Sequence, residues 1–307
     1  MKLVVVVGPS ASGKTALACE LAERLSGEIV SADSQQCYRG LDVATAKPSV
    51  EERARAPHHL LDVADPEDQL DASRFVRLAD AAIAGIAARG KRAIVTGGTG
   101  LWIRALLRGL VDAPGADPGF RARLREEMDA QGVPALHARL GSIDPDAARA
   151  ILPNDRVRIE RALEVHHATG KTISALQRAH AFAEARYEAS LVFLDPPREL
   201  LHERIERRAR AFFARGAIQA ETRALLARIE RVPAAAKALK IIGYGECAEA
   251  LRTGDVEAAA GAIAARTRRY AKRQRTWFRK DCGPPPAWPI DATRLCERLE
   301  RWYEGAP

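Results

Sequence analysis

The sequence predicts an α/β protein, in which helices cover a parallel β-sheet and a helical segment is inserted into the chain that forms it. An apolar run at residues 3–7 leads directly into a glycine-rich segment at residues 8–15. Further apolar runs at residues 28–33 and 93–95 alternate with helical patterns, which is typical of parallel strands joined by crossover helices. Residues 111–190 then show helical patterns and no strand candidate, which indicates the insertion.

Residues 8–15 read Gly-Pro-Ser-Ala-Ser-Gly-Lys-Thr and match the phosphate-loop pattern G-x-x-x-x-G-K-[ST] in full. Its two glycines let the backbone turn N–H groups toward an anion, and the helix predicted at residues 16–25 adds its dipole. The Lys14 ammonium reaches the outer phosphate, and the Thr15 hydroxyl can ligate Mg²⁺. The motif therefore predicts a P-loop NTPase-like core that holds a diphosphate or triphosphate, and it leaves the identity of that molecule open.

The composition is that of a folded protein with a large core, since 47% of the 307 residues are hydrophobic. No apolar run approaches the roughly 20 residues that a membrane span needs. The first strand follows directly after Met-Lys, which leaves no room for a signal peptide, so we expect a cytoplasmic protein. The five cysteines are scattered without a C-x-x-C pair, so we expect reduced thiols and neither disulfides nor a zinc site.

The second and third predicted strands each end in polar residues. The strand at 28–33 ends on Asp33, before Ser34-Gln35-Gln36, and the strand at 93–95 leads into Thr96-Gly97-Gly98-Thr99-Gly100. Because ligands bind beyond the carboxyl ends of parallel strands, we expect both segments and the phosphate loop to line one crevice. The third strand lacks the terminal acid that positions Mg²⁺ in ATP-hydrolysing machines, which disfavours that class.

Two interpretations of Asp33 remain open. Most aspartates at strand ends are turn or cap residues. A carboxylate across a crevice from a phosphate loop is also well placed to act as a general base.

The remaining elements of the core follow from helical spacing and from glycine and proline. We expect a loop at 44–48, an extended segment at 59–63, and helices at 71–88 and 101–107. The core is assigned to residues 1–110 and 190–307. The helical insertion domain is assigned to residues 111–189, with helices at 117–128, 134–140 and 155–168.

After the insertion, an apolar strand at 191–194 precedes a helix at 199–215. This helix places Arg204 and Arg208 one turn apart, either as a solvated face or as cations that neutralise a departing phosphate group. From residue 216 the chain is predicted to be helical, with breaks at 243–245 and 283–286.

The whole excess of positive charge lies in residues 266–280. This segment holds eight Lys or Arg residues and no acid, and the rest of the chain balances at 48 − 8 = 40 basic against 40 acidic residues. Helical spacing places four cations in one stripe: Arg268, Lys272, Arg275 and Arg279. Cations interleaved with Tyr270, Trp277 and Phe278 favour a nucleic-acid interface. The alternative is a surface helix whose aromatic rings pack into the core.

With these segments in place, the sequence resembles the tRNA dimethylallyltransferases, the isopentenyl-tRNA transferases of bacteria, over nearly its full length. The resemblance is carried by residues 8–15, 33–40, 45–48, 97–101, 153–155, 161–165, 242–244 and 266–279. The sequence departs from the family pattern at Cys37, Ala44 and Trp102, where an aliphatic residue, glycine and tyrosine are common.

The resemblance implies transfer of a dimethylallyl group from dimethylallyl diphosphate to N6 of the adenosine immediately 3′ of the anticodon, position 37 of tRNA, with release of diphosphate. On this view the phosphate loop holds the donor's diphosphate, Mg²⁺ lies at Thr15, and Asp33 is the catalytic general base. The insertion domain clamps the anticodon stem-loop, and the protein acts as a monomer.

Matching positions give two sets of binding residues. The diphosphate set is Gly8, Pro9, Ser10, Ala11, Ser12, Gly13, Lys14, Thr15 and Arg208. The tRNA set is Asp33, Ser34, Gln35, Gln36, Thr99, Arg121, Val157, Arg158, Ile159, Glu160, Arg161, Lys240, Ile241, Ile242, Gly243, Tyr244, Gly245, Lys272, Arg273, Gln274, Arg275, Thr276, Trp277, Phe278 and Arg279.

Two other functions remain as alternatives. A P-loop kinase of a nucleoside or small metabolite would place ATP in the loop and use Asp33 to activate a hydroxyl. A nucleotide-gated RNA-binding protein would use the same loop and basic segment without group transfer.

Overall fold

Five parallel strands form the central sheet. In chain order they are β1 (Lys2–Val7), β2 (Gly27–Ser31), β3 (His58–His59), β4 (Arg92–Gly97) and β5 (Glu188–Phe193). They lie in the order β3-β2-β4-β1-β5. Val7 is in register with Gly97 of β4 and with Phe193 of β5, so these three strands end at one edge. The phosphate loop begins at that edge.

The computed structural model describes residues 1–111, 113–181, 185–283, 285 and 288–305. The chain divides into two compact units. The sheet unit comprises Met1–Leu107 and Arg186–Pro307, and the helical unit comprises Arg108–Ala185. No helix in the described ranges is long and apolar enough to cross a membrane. The five cysteines are free thiols.

Fourteen α-helices occur in the described residues. They are α1 (Lys14–Arg24), α2 (Val50–Arg55), α3 (Ala72–Ala88), α4 (Gly100–Arg108), α5 (Pro118–Gln131), α6 (Val133–Ile143), α7 (Pro145–Ala150), α8 (Arg156–Thr169), α9 (Ile173–His180), α10 (Arg198–Ala211), α11 (Ala217–Arg231), α12 (Tyr244–Thr253), α13 (Val256–Cys282) and α14 (Ala292–Glu304). Short 3₁₀ helices lie at Ala214–Gly216 and Pro233–Lys240.

Both faces of β1 are buried, which explains its uninterrupted apolar sequence. Val4 packs on one face in a cluster with Leu21 of α1. Val5 packs on the other face in a cluster with Phe75 of α3 and Phe278 of α13. The basic helix α13 is therefore anchored in the core by an aromatic ring.

Some boundaries differ from those predicted. Strand β2 ends at Ser31, so Asp33 lies in the loop beyond it. Helix α10 ends at Ala211, before residue 215. The break predicted at 243–245 lies at 241–243 instead, because α12 begins at Tyr244. Of the break predicted at 283–286, residues 284 and 286 lie outside the described residues.

The helical unit has its own apolar core, which includes Leu124, Leu140 and Leu163. The most deeply buried carboxylate among the described residues of this unit is that of Glu164, whose side chain is 1% exposed. Its carboxylate accepts two hydrogen bonds from Arg121, at 2.7 and 2.8 Å, and one from Arg161 at 2.6 Å. Burial alone would raise the pKa of Glu164, but these hydrogen bonds outweigh burial and lower the pKa to about 2.

We expect Glu164→Gln to lower the free energy of unfolding by about 3 kcal/mol, because it removes the buried negative charge that Arg121 and Arg161 share. The folded-state pKa of Glu164 lies below its ordinary value of 4.5. Its contribution to stability is therefore complete above about pH 4.5 and is lost as the pH falls toward 2. Urea unfolding across this pH range measures the effect.

Glu127→Gln is the matched control. The Glu127 carboxylate pairs with Arg139 at 2.9 Å on the surface of the same unit, where an ion pair contributes at most about 1 kcal/mol. Equal losses of stability in the two variants would contradict a special role for Glu164.

Candidate active site

The phosphate loop has a backbone shape that requires glycine. A Cβ atom added to Gly8 would lie 2.5 Å from the Leu194 carbonyl oxygen and 2.9 Å from Ser12 Oγ. Gly13 has a φ of +94°, in the left-handed region that glycine favours. Close contacts therefore require glycine at position 8, and a positive φ favours glycine at position 13.

The loop fits an anion and a magnesium ion. Ser12 Oγ is buried and has no hydrogen-bond partner among the residues that the structure describes. A buried hydroxyl left unpaired beside a glycine cradle suits a phosphate oxygen as its partner. Thr15 lies in the first turn of α1, where its hydroxyl could ligate Mg²⁺ held by the same phosphates.

Cations surround the loop. Lys14 Nζ donates a hydrogen bond to the Pro9 carbonyl oxygen at 2.8 Å. Burial lowers the pKa of Lys14 to about 8, against the opposing effect of the Asp33 charge and with a further lowering by Arg208. Burial also lowers the pKa of Arg208, as does the positive charge of Arg204. A bound polyanion would offset both the burial of these cations and the repulsion between them.

Arg204 also lies close to the loop. Its guanidinium nitrogen is 3.9 Å from the position that a Cβ on Gly13 would take. The guanidinium carbon lies 5.7 Å from the ring centroid of Trp288. Arg204 and Arg208 of α10 are therefore both close to the phosphate loop.

The position of Asp33 fits both roles that the sequence left open. Its Oδ1 accepts a hydrogen bond from Gln35 N at 2.9 Å, as a turn residue does. The carboxylate also lines the cavity beside the phosphate loop. Burial raises the pKa of Asp33, although backbone hydrogen bonds and the Lys14 charge oppose the rise. A carboxylate with a raised pKa is a stronger base than an exposed one.

The loop after β4 holds the Asp33 segment in place. Thr99 Oγ1 accepts a hydrogen bond from Ser34 N at 3.0 Å and donates one to Ser34 Oγ at 3.2 Å. A Cβ on Gly97 would lie 2.2 Å from the Ala32 carbonyl oxygen, so only glycine permits this approach. The side chain of Gln36 connects the end of β2 to the loop at 44–48. Its amide oxygen accepts a hydrogen bond from Ser31 Oγ, and its amide nitrogen donates one to the Ala46 carbonyl oxygen.

Helix α13 contacts both loops through Gln274, whose side chain is almost fully buried. Gln274 Oε1 accepts from Ser10 N at 2.9 Å, and Nε2 donates to the Gly98 carbonyl oxygen at 2.9 Å. The Trp277 indole nitrogen lies 2.2 Å from the position of a Cβ on Gly100. The family resemblance assigned Gln274 and Trp277 to RNA. Packing of Trp277 was the alternative interpretation, whereas no local pattern in the sequence indicated the hydrogen bonds of Gln274.

These elements enclose a cavity of about 640 Å³ in the sheet unit. Nine residues of the site predicted from the sequence line this cavity: Ser10, Asp33, Ser34, Gln35, Arg208, Lys240, Ile241, Ile242 and Arg273. Four of its apolar lining residues are Ile205, Ala209, Phe212 and Ile263. Tyr270, Arg266 and Arg269 also line it and were absent from the predicted site.

The predicted stripe of four cations on α13 is mostly paired with acids. Arg275 and Arg279 both contact Asp195, at 2.5 and 2.7 Å, and this carboxylate is 1% exposed. Arg268 pairs with Glu206 at 2.9 Å. Of the four, only Lys272 is in no ion pair with the described residues.

Four cations of α13 are both exposed and in no ion pair within the described ranges, and only Lys272 of them belongs to the predicted stripe. They are Arg269, Lys272, Arg273 and Lys280. Two of the aromatic rings pack inside the protein, as the alternative interpretation predicted. Phe278 is buried in the core, and the ring of Trp277 packs against Arg104, whose guanidinium carbon lies 4.3 Å from the ring centroid. Thr276 is exposed.

Other residues predicted to contact RNA divide by exposure. In the helical unit, Val157 and Arg158 are exposed, whereas Ile159 is fully buried and Glu160 nearly so. Glu160 and Glu164 engage Arg121, and Arg161 also binds Glu164. The buried residues offer no surface to a partner.

The segment at 240–245 is similarly divided. Lys240 is exposed, and Ile241, Ile242 and Gly245 are half-buried. Tyr244 is buried, and its hydroxyl donates to Glu221 at 2.7 Å. A Cβ on Gly243 would lie 2.5 Å from Ala44 Cβ, so Gly243 supports the cavity wall rather than a partner.

Comparisons with known proteins agree with this architecture. Residues 36–281 match the model of the IPP transferase family. The chain is 58% identical to a tRNA dimethylallyltransferase of Anaeromyxobacter sp. (strain K), over 97% of each chain. It is 50% identical to a tRNA dimethylallyltransferase of Geobacter metallireducens, over 91% of this chain and 90% of the relative.

Solved structures show the same likeness. A tRNA isopentenylpyrophosphate transferase of Bacillus halodurans is 35% identical, with a TM-score of 0.69, and covers 99% of this chain and 96% of its own. A eukaryotic dimethylallyltransferase described as acting on tRNA is 27% identical, with a TM-score of 0.83 over 100% of this chain and 80% of its own. The P-loop NTPase-like fold predicted from the phosphate loop is confirmed, and the chain belongs to the IPP transferase family.

Proposed function

We propose that this protein transfers a dimethylallyl group from dimethylallyl diphosphate to N6 of adenosine 37 of tRNA and releases diphosphate. The observation that carries the proposal is one cavity that joins the phosphate loop, the carboxylate of Asp33 and exposed cations of α13. A phosphate loop, a base and a polyanion-binding helix are the parts that prenyl transfer to RNA requires. Membership of the IPP transferase family supports the same activity.

The leaving group determines the chemistry at the phosphate loop. As the bond between C1 of the dimethylallyl group and the diphosphate oxygen breaks, negative charge accumulates on the diphosphate. Lys14 and Arg208 lie where they can stabilise that charge, and Arg204 is close enough to assist. Thr15 would hold Mg²⁺, which neutralises part of the charge of the bound diphosphate.

Asp33 removes the proton from the nucleophile. The exocyclic amine of adenine is a weak nucleophile because its lone pair is delocalised into the ring. As the new C–N bond forms, N6 must lose one proton, which passes to the Asp33 carboxylate. The raised pKa of Asp33 makes this transfer more favourable than it would be to an exposed aspartate.

RNA binding follows from the unpaired cations. The exposed side chains of Arg269, Lys272, Arg273 and Lys280 can neutralise phosphates along one helix. The target base must leave its stack to enter the cavity. We assign the exposed surface of the helical unit, which includes Val157 and Arg158, to the anticodon stem-loop.

The first test concerns the donor. Dimethylallyl diphosphate with Mg²⁺ should support modification of tRNA without ATP, and Lys14→Ala should lower the rate by about 10²- to 10³-fold, the effect of removing one preorganised charge donor. Mass analysis of tRNA nucleosides measures the product. A requirement for ATP, or phosphate transfer from labelled ATP to a small acceptor, would instead support a kinase.

The second test isolates proton transfer. Asp33→Asn should lower the single-turnover rate by about 10²- to 10⁴-fold, because an amide can bind the amine but cannot accept its proton. In the wild type the same rate should fall as the pH decreases through the raised pKa of Asp33, above the value of about 3.9 for an exposed aspartate.

Affinities for the donor and for tRNA should change little in Asp33→Asn, because the phosphate contacts lie on other residues. This comparison separates loss of chemistry from loss of binding. A near-normal single-turnover rate in the Asn variant would show that Asp33 only orients the base.

The third test distinguishes exposed from paired cations. The triple variant Arg269→Gln, Lys272→Gln, Arg273→Gln should reduce the slope of log affinity for tRNA against log salt by about 0.7 to 0.9 for each phosphate contact that is lost. The control is Arg268→Gln, a cation of the same helix that already pairs with the carboxylate of Glu206 on the surface. If the control changed the salt slope as much per charge as the triple variant, our assignment of the RNA-facing side of α13 would be wrong.

A further inference from the structure

Gln274 is the one residue of α13 whose side chain hydrogen-bonds to both the phosphate loop and the loop after β4, among the contacts of the described residues. Its side chain is 6% exposed, although it lies beside the exposed residues Lys272 and Arg273. One helix therefore presents cations outward and an amide inward. The inward amide contacts the backbone of the loop that the proposed donor occupies.

The chemistry of this contact is specific to an amide. Ser10 N–H needs an acceptor and the Gly98 carbonyl needs a donor, and glutamine supplies both from one planar group. A methionine of similar size would fill the space but leave both backbone groups unpaired. Buried backbone groups that lack partners are costly, so the loop would shift to find water or another partner.

The loop after β4 extends the connection to the segment that carries Asp33. Its Gly98 carbonyl oxygen accepts a hydrogen bond from Gln274, and the adjacent Thr99 holds Ser34. Gln274 therefore links the phosphate loop to the loop that positions the proposed base.

We propose that Gln274 is a positioning residue: its amide fixes the shape in which the phosphate loop binds the diphosphate of the donor, and it does not bind RNA. The proposal rests on the proposed function for the identity of the donor. It assigns opposite faces of one helix to the two substrates. The outward cations serve the RNA, and the inward amide serves the diphosphate.

The test uses Gln274→Met in the full-length protein, with Glu257→Gln as the control at an exposed position of the same helix. The affinity for inorganic diphosphate with Mg²⁺ is measured by calorimetry, the affinity for tRNA by filter binding, and KM and kcat with dimethylallyl diphosphate. We expect Gln274→Met to weaken diphosphate binding and raise the donor KM about 5- to 100-fold, as expected for unpaired buried backbone groups. Its tRNA affinity should stay within about twofold of the wild type, and the control should change neither affinity.

Gln274→Asn is the second variant, because it keeps the amide but shortens the side chain, so that the amide cannot reach both Ser10 N and the Gly98 carbonyl oxygen. It should weaken diphosphate binding in the same direction. It also decides the question if Gln274→Met does not fold, since unchanged diphosphate affinity in Gln274→Asn would then overturn the proposal.

Two results with Gln274→Met overturn the inference. Weaker tRNA binding with normal diphosphate affinity would make Gln274 an RNA contact. Normal affinity for both ligands would make it a packing residue. Failure of the proposed function is distinguishable, because the wild type would then transfer no dimethylallyl group while the diphosphate comparison would still report on Gln274.

Discussion

A buried carboxylate fixes the orientation of the helix on which both proposed substrates depend. Asp195 follows the last strand of the sheet, and its two ion pairs, to Arg275 and Arg279, hold one face of α13 against the core. Two guanidinium groups compensate the cost of burying this charge, and removal of either would leave it underpaired. With that face fixed, the helical period places Gln274 against the two loops and Phe278 in the core.

The same constraint determines which cations are exposed. Eight of the fifteen residues at 266–280 are basic, and acids on other elements pair with four of them. Arg275 and Arg279 pair with Asp195, whereas Arg269 and Arg273 line the cavity. Net charge therefore identifies the helix as a site for a polyanion, but only the pairing of individual residues identifies the side of the helix that binds it.

This distinction explains how far the sequence could predict the molecule. The phosphate loop, the strands and the cluster of loops beyond their carboxyl ends depend on local patterns, and Val7, Gly97 and Phe193 end together as parallel strands require. The contacts of Asp195 and Gln274 depend instead on residues 80 or more positions away, which no spacing rule reaches. Likewise, the ion pair of Arg121 could not be predicted from spacing, because its acid, Glu164, lies on a different helix.

Helix α13 contacts the phosphate loop and carries the cations that we assign to RNA. This arrangement bears on how the proposed reaction avoids hydrolysis of the donor. A dimethylallyl diphosphate whose C–O bond is weakened by Lys14 and the arginines of α10 would react with solvent if no amine were present, so loop geometry and RNA binding need to be linked. Helix α13 provides such a link mechanically, because Gln274 contacts the loop one residue beyond Arg273. RNA bound at Arg273 would therefore lie on the same turn of the helix that contacts the phosphate loop through Gln274. Because the ion pairs of Asp195 hold the adjacent residues of α13 against the core, the two proposed sites would be separated by packed helix and not by a flexible loop.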